Sequence, residues 1–178
     1  MAMNQHVDLF RESTRAEHDI LRRYVDTLCE VADAVGDIPL PALQQRLREV
    51  HAFLAHQLIP HAEAEDRVIY PLVAMMLGTL EGISAMNRDH LEIGRFAAEL
   101  AALEQQLSGS RLRTADAKAL RRVLYGLAAL LRLHLEQEDV YLGLLGAHLG
   151  PDAAQAALAA LQDATHNAQE RTAAADHK

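Results

Sequence analysis

Residues 56–71 read HQLIPHAEAEDRVIYP, and the pair His61 and Glu65 inside this stretch decides the fold. A His and a Glu four positions apart project from one face of a helix, about 40° apart around its axis. The same face reads Leu43, Leu47, Val50 and Leu54 upstream, and Val68, Leu72 and Met75 downstream. A helix over about Pro41–Leu77 is therefore apolar along one side, except where an imidazole and a carboxylate interrupt it. Pro60 and Pro71 lie inside that span. Each removes a backbone hydrogen bond and predicts a kink or a local division of the helix.

Three more stretches carry helical periodicity with the same kind of interruption. The first runs from about Ser13 to Val35, with Leu21, Val25, Leu28, Ala32 and Val35 on one face and His18 at its head. Gly36 and Pro39 end it, and Pro41 opens the next. After a turn marked by Gly78 and Gly82, a third stretch from about Ile83 to Leu107 aligns Ile83, Met86, His90, Ile93, Ala97 and Leu100. Ser108, Gly109 and Ser110 form the loop to a fourth, for which Thr114 reads as the N-cap. That stretch continues to about Leu149 and aligns Leu120, Val123, Leu127, Leu130, His134, Glu138, Tyr141 and Leu145. Gly150 and Pro151 stop it, and the Ala-rich stretch from Asp152 to about Gln169 predicts a fifth helix lying on the bundle. Arg171 to Lys178 read as a frayed tail. Short loops make neighbouring helices antiparallel. The expected fold is all-α: an antiparallel up-down-up-down four-helix bundle with an extra C-terminal helix.

A weak internal repeat shows in the spacing. His18 precedes the His61/Glu65 pair by 43 positions, and His90 precedes the His134/Glu138 pair by 44. Each half is a helix with a His, a loop, and a helix with a His and a Glu. His18 lies 17 residues before Val35, and His61 lies 20 residues after Pro41. At about 1.5 Å per residue these heights differ by about 5 Å. All six side chains can meet in one layer of the bundle.

The 178 residues suit a single domain with a full core. The formal net charge of -8 argues against a nucleic-acid backbone as partner. Cys29 is the only cysteine, which excludes a disulfide framework and a thiolate zinc site and makes a reducing cytoplasm the simplest home. The polar start from Met1 to Phe10 does not read as a signal peptide. No apolar run reaches the roughly 18 residues of a membrane span. Ten histidines are the one unusual count, and histidine is the commonest metal ligand among side chains.

A lone core histidine is usually a packed, hydrogen-bonded side chain, and His-x-x-x-Glu is a weak motif. His166 and Glu170, near the tail, have the same spacing and read as a solvated helix end. What sets the six apart is agreement. They interrupt otherwise apolar faces, they fall on all four helices, and they repeat in both halves. Burying six ionisable groups in one layer without a cation carries a large desolvation cost. Imidazole and carboxylate together suit iron, manganese or zinc, and a carboxylate can bridge two ions. The natural assignment puts one ion on His18 and His61 and the other on His90 and His134, with Glu65 and Glu138 spanning both, about 3.5–4 Å apart. His51 and His56 read as outer or boundary positions, and His6, His148 and His177 lie away from the layer. Tyr24, Tyr70, Tyr125 and Tyr141 read as core or boundary residues, with room for one of them to reach an open metal position.

The segment His56–Pro71, the segment from His134 through Glu138 to Tyr141, and the single histidines of the first and third helices together resemble the hemerythrin-like, HHE cation-binding domain. The resemblance spans about Phe10 to Leu149, within a domain expected over residues 1–170. It implies a non-haem centre of two iron ions with an oxo or hydroxo bridge, held by His18, His61, Glu65, His90, His134 and Glu138; zinc and manganese rank behind iron. Oxygen carriers of this family have a further histidine one turn along the third helix, where this chain has Gly94, and an Asp where it has Glu138. The missing ligand leaves more positions open, which favours handling of peroxide, dioxygen or nitric oxide over reversible oxygen transport. Ferritin-like di-iron bundles use Glu-x-x-His, and no glutamate stands three residues before any histidine here. Two roles fit: a redox protein for oxidative or nitrosative stress, such as catalase-like peroxide decomposition, or a module that senses iron, oxygen or nitric oxide without turnover. A third is a helical protein whose site holds structural zinc. The expected ligand is a small diatomic or a peroxide, with no membrane and no nucleic acid. The fifth helix and the ligand-poor faces leave room for a homodimer contact.

Overall fold

The computed structural model describes residues 5–79, 81–107 and 111–176, and all regular structure among them is helical. Six α-helical segments make five rods. They are α1 (Gln5–Ala34), α2 (Leu40–Phe53), α3 (Ile59–Leu77), α4 (Glu81–Gln106), α5 (Thr114–His148) and α6 (Pro151–Asp176). A π-helical segment, Leu54–Leu58, joins α2 to α3 in one continuous rod.

The π segment stands where Pro60 predicted a kink. Proline offers no N–H to the preceding turn, and the ladder widens just ahead of it: the Ile59 N–H bonds back to the Leu54 carbonyl. Such turns are rare and cluster at functional sites. This one ends three residues before His61. Pro71 sits inside α3 on its exposed side. The turns after α1 and α3 rest on glycine at positive φ: Gly36 at 91° and Gly78 at 68°. Both conformations are strained for any residue with a Cβ.

Four boundaries differ from the sequence reading. α1 starts two turns earlier than Ser13, because Phe10 and Thr14 are buried and extend its inner face. α4 includes Gly82 in its first turn, so Gly78 alone makes the turn. Arg113, not Thr114, takes the N-cap position of α5, without a side-chain cap, and pairs with Asp116 at 2.7 and 2.8 Å. α6 continues to Asp176, with Arg171 held by Glu63 of α3 at 2.7 Å. The Ser108–Ser110 loop and His177 lie outside the described residues.

Neighbouring rods are antiparallel, as the cross-helix partners show. Between α1 and α5, Arg11 meets Gly143, His18 meets Asp139 and Asp33 meets Tyr125, one number rising as the other falls. Gln44 with Leu107 and Asp66 with His90 give the same sense for the α2–α3 rod and α4. Glu17 with His61 and Tyr24 with Phe53 give it for α1 and that rod, and Asp89 with His134 and Glu99 with Arg122 give it for α4 and α5. The result is an up-down-up-down bundle, with α6 laid against α3 and α1.

The core is divided. One apolar cluster fills the end built from α1, α2, α4 and α5, including Leu28, Leu43, Leu47, Leu100, Leu124 and Leu127. A second fills the opposite end, where Phe10, Ile69, Val73, Met86 and Leu145 pack with Ala154, Ala157, Leu158 and Leu161 of α6. The apolar face of α3 beyond Glu65 runs through Ile69, Tyr70 and Val73, one position off the stripe expected from the sequence; Met75 is 75% exposed. α6 accounts for the shift, since it covers the side of α3 that a four-helix bundle would leave to solvent. Leu127→Ala, in the first cluster, is expected to lower stability by about 2–5 kcal/mol. Leu133→Ala, at a side chain 53% exposed, should stay within about 0.5 kcal/mol. Urea unfolding of the two variants checks the contrast.

Candidate metal centre

Between the two clusters lies a polar layer. His18 comes from α1, His61 and Glu65 from α3, His90 from α4, and His134 and Glu138 from α5. His18, His61, Glu65, His134 and Glu138 are all below 9% exposed, and the His90 side chain is 6% exposed. The ring Nε2 atoms face inward. His61 Nε2 stands 2.8 Å and His18 Nε2 3.7 Å from Glu65 Oε1. The other Glu65 oxygen, Oε2, stands 3.6 Å from His90 Nε2. Glu138 Oε2 is 3.5 Å from both His18 Nε2 and His134 Nε2. Two groups of potential ligand atoms result: His18, His61, Glu65 and Glu138 in one, Glu65, His90 and His134 in the other. Glu65 belongs to both.

Five of these inward atoms come close to their neighbours without a hydrogen bond. His18 Nε2, His61 Nε2, Glu65 Oε2 and both Glu138 oxygens are buried and lack a hydrogen-bond partner. The His61–Glu65 contact is short enough for an ion pair, but its donor and acceptor are not aligned for a hydrogen bond. Buried polar groups are normally satisfied. Misaligned, unsatisfied donors and acceptors that converge from α1, α3 and α5 aim at a common centre rather than at each other. His90 Nε2 and His134 Nε2 are 3.1 Å apart, and two imidazole lone pairs at that distance need a proton or a cation between them. Borderline divalent cations match this donor set of imidazoles and carboxylates.

The outer ring nitrogens also face carboxylates. His18 Nδ1–H donates to Asp139 Oδ1 at 2.8 Å, and His90 Nδ1–H donates to Asp66 Oδ1 at 2.9 Å. His61 Nδ1 is 3.5 Å from Glu17 Oε2, and His134 Nδ1 is 3.5 Å from Asp89 Oδ2. Arg22 in turn holds the second Asp139 oxygen. None of these carboxylates was singled out from the sequence, yet a signal was there: each is the immediate chain neighbour of one of the six residues.

Tyr70 is the tyrosine that reaches the layer. Its ring stacks on His90 with centroids 5.3 Å apart, and its hydroxyl donates to His90 Nε2 at 3.2 Å. Burial first, then the charges of Glu138 and Glu65, push its pKa far above the usual range, so it stays a protonated phenol. Tyr24 is stacked on Phe53, Tyr125 is 41% exposed and bound to Asp33, and Tyr141 packs on the second apolar cluster. The other described histidines lie away from the layer. His51 is exposed and pairs with Glu104, His56 is at a boundary position, and His148 donates to the Leu144 carbonyl. His166 and Glu170 pair at 3.2 Å with side chains 70% and 64% exposed, so the same four-residue spacing here is a solvated surface pair.

Electrostatics couple the layer to protons. Burial by itself would lower the pKa of His18, His61 and His134, but the facing carboxylates outweigh it and raise all three above 6.5. Burial likewise opposes the Glu65 charge, and His61 and His18 overcome it and pull its pKa down. A raised histidine pKa contributes stability below 6.5 that is lost as pH rises through the folded value. Metal ligation has the opposite dependence, because it needs neutral imidazoles. Raising the pH above 6.5 should therefore lower the Tm of metal-free protein while increasing the Tm gained on adding divalent metal. Parallel melting curves across pH, with chelator and with metal, check both signs.

No curated protein and no solved structure matches the chain. A family model does, the hemerythrin HHE cation-binding domain, over residues 10–145. That span runs from Phe10 to Leu145 and contains all six residues of the polar layer. The chain belongs to the hemerythrin family of HHE cation-binding domains.

Proposed function

We propose that this protein holds two iron ions in the polar layer and uses them on a small oxidant or gas, with peroxide, dioxygen and nitric oxide as the candidate ligands and oxidative or nitrosative stress as the setting. The observation that carries the reading is the convergence of potential ligand atoms from four helices, with those from α1, α3 and α5 including buried atoms that have no hydrogen-bond partner. In this reading His18 and His61 hold one ion, His90 and His134 the other, and Glu65 and Glu138 span the two. The split of the Glu65 oxygens between the two groups supports the bridging role. When bound, the iron pair supplies electron exchange and coordination positions not taken by protein.

The chain's own residues then set the conditions. The two apolar clusters above and below the layer keep bulk water out. Position 94, one turn after His90, is a glycine and offers no side chain to take a coordination position. The Tyr70 hydroxyl, 3.2 Å from His90 Nε2, can donate a hydrogen bond to a ligand beside His90. A groove of about 270 Å³ bordered by Glu17, His61, Thr165 and Gln169 brings solvent to the outer edge of His61.

The direct test is elemental analysis of anaerobically iron-loaded, then air-oxidised protein, followed by peroxide and nitric oxide assays. About two irons per chain are expected, falling below one when Glu65 and Glu138 are both replaced by Ala; wild-type protein that takes up no iron would overturn the reading. Oxygen release from peroxide above that of free iron would establish turnover. Its absence, with thermal stability that shifts on iron binding and oxidation, would make the protein a sensing module instead. Tyr70→Phe is expected to keep the iron content and to lower peroxide turnover by about 10²-fold, the usual scale for loss of a positioned hydrogen-bond donor.

A further inference from the structure

The four outer carboxylates are not scattered. Glu17 of α1 faces His61 of α3, Asp66 of α3 faces His90 of α4, Asp89 of α4 faces His134 of α5, and Asp139 of α5 faces His18 of α1. Each helix thus grips the histidine of the next, and the fourth contact returns to the first helix. The carboxylates are also placed by the chain in two matched ways. Glu17 and Asp89 immediately precede His18 and His90, while Asp66 and Asp139 immediately follow Glu65 and Glu138. On an ideal helix, adjacent side chains diverge by about 100°. When the first of a pair points into the core, its neighbour is turned toward the interface with an adjoining helix.

We propose that Glu17, Asp66, Asp89 and Asp139 form a closed ring of positioning residues that holds all four histidines with Nδ1–H outward and Nε2 toward the centre. The inference rests on the metal-centre reading for its consequence, since that orientation is the one in which all four imidazoles offer a lone pair to the same layer. The carboxylates are not themselves ligands: they stand on the far side of each ring. The links differ in strength by symmetry. The contacts to His18 and His90, the singly placed histidines, are hydrogen bonds of 2.8 and 2.9 Å, and those to His61 and His134 are 3.5 Å. Glu17 Oε2 and His134 Nδ1 have no hydrogen-bond partner, so the ring contact is the polar group each can turn to. The four side chains are 25–43% exposed, so each can be replaced without opening the core.

Two measurements on the full chain test the ring. The first is the imidazole tautomer, from one-bond and long-range ¹H–¹⁵N spectra of metal-free protein at alkaline pH. Asp66→Ala should release the Nδ1–H tautomer of His90 in the next helix and leave that of His61 in its own helix unchanged. Asp139→Ala should release His18 and leave His134. The second is zinc affinity, by competition with a chromophoric chelator, zinc being free of redox chemistry. Loss of an outer partner of a metal-bound histidine usually weakens binding 10–100-fold. We expect about that loss for Asp66→Ala and Asp139→Ala, a smaller one for Glu17→Ala and Asp89→Ala, and partial recovery in Asp66→Asn, which keeps an acceptor oxygen. Unchanged tautomers, or a disturbance of the same-helix histidine in place of the next-helix one, would overturn the ring. Wild-type protein that bound no zinc would count against the metal-centre reading, and the tautomers alone would then decide the ring.

Discussion

Glu65 and Glu138 are carboxylates less than 3% exposed in the middle of a helical bundle, surrounded by imidazoles rather than by backbone donors. A buried charge without compensation is among the most costly arrangements a fold can contain. The rest of the architecture follows from that constraint. The apolar core is split into two clusters because a polar layer crosses it. The cluster on the α6 side would be thin with four helices alone. α6 thickens it, burying Ala154, Ala157, Leu158 and Leu161 against the same end of the bundle that Phe10 closes from α1.

The layer has an approximate two-fold relation that the chain carries as a repeat. His18 maps onto His90 and the His61/Glu65 pair onto His134/Glu138, and the outer carboxylates follow: Glu17 onto Asp89, Asp66 onto Asp139. The departures from this symmetry are concentrated around one half of the site. Arg22, one turn after His18, clamps Asp139, whereas the corresponding position after His90 is Gly94. Tyr70, five residues after Glu65, covers His90, whereas the position five after Glu138 is Gly143. The His18 side is held by an extra cation. The His90 side has a glycine in place of that cation and a stacked phenol that keeps its proton.

The six histidines and glutamates of the layer were readable because helical periodicity is local. A polar residue at a core position of an otherwise apolar stripe is visible from a dozen neighbours, and counting residues from each loop places it at a height. The surface pair His166 and Glu170 shows why the spacing alone was insufficient: it has the same interval without the apolar stripe around it. Tyr70 was less legible. Four tyrosines lay near helix faces, and only the rotation of α3 against α4 selects one of them. The packing of α6 likewise moved the buried face of α3 from Met75 to Val73.

The amino-acid sequence by itself determined the five helical rods, their antiparallel order and the level at which the polar layer crosses them, because these depend on local pattern, loop length and rise per residue. The tertiary structure alone decided which carboxylate meets which histidine, that Tyr70 lies against His90, and that α6 covers α3. Those features depend on the rotation and offset of one helix against another. These are set by how side chains from distant segments pack, a balance of many small contacts that no single stretch of sequence contains.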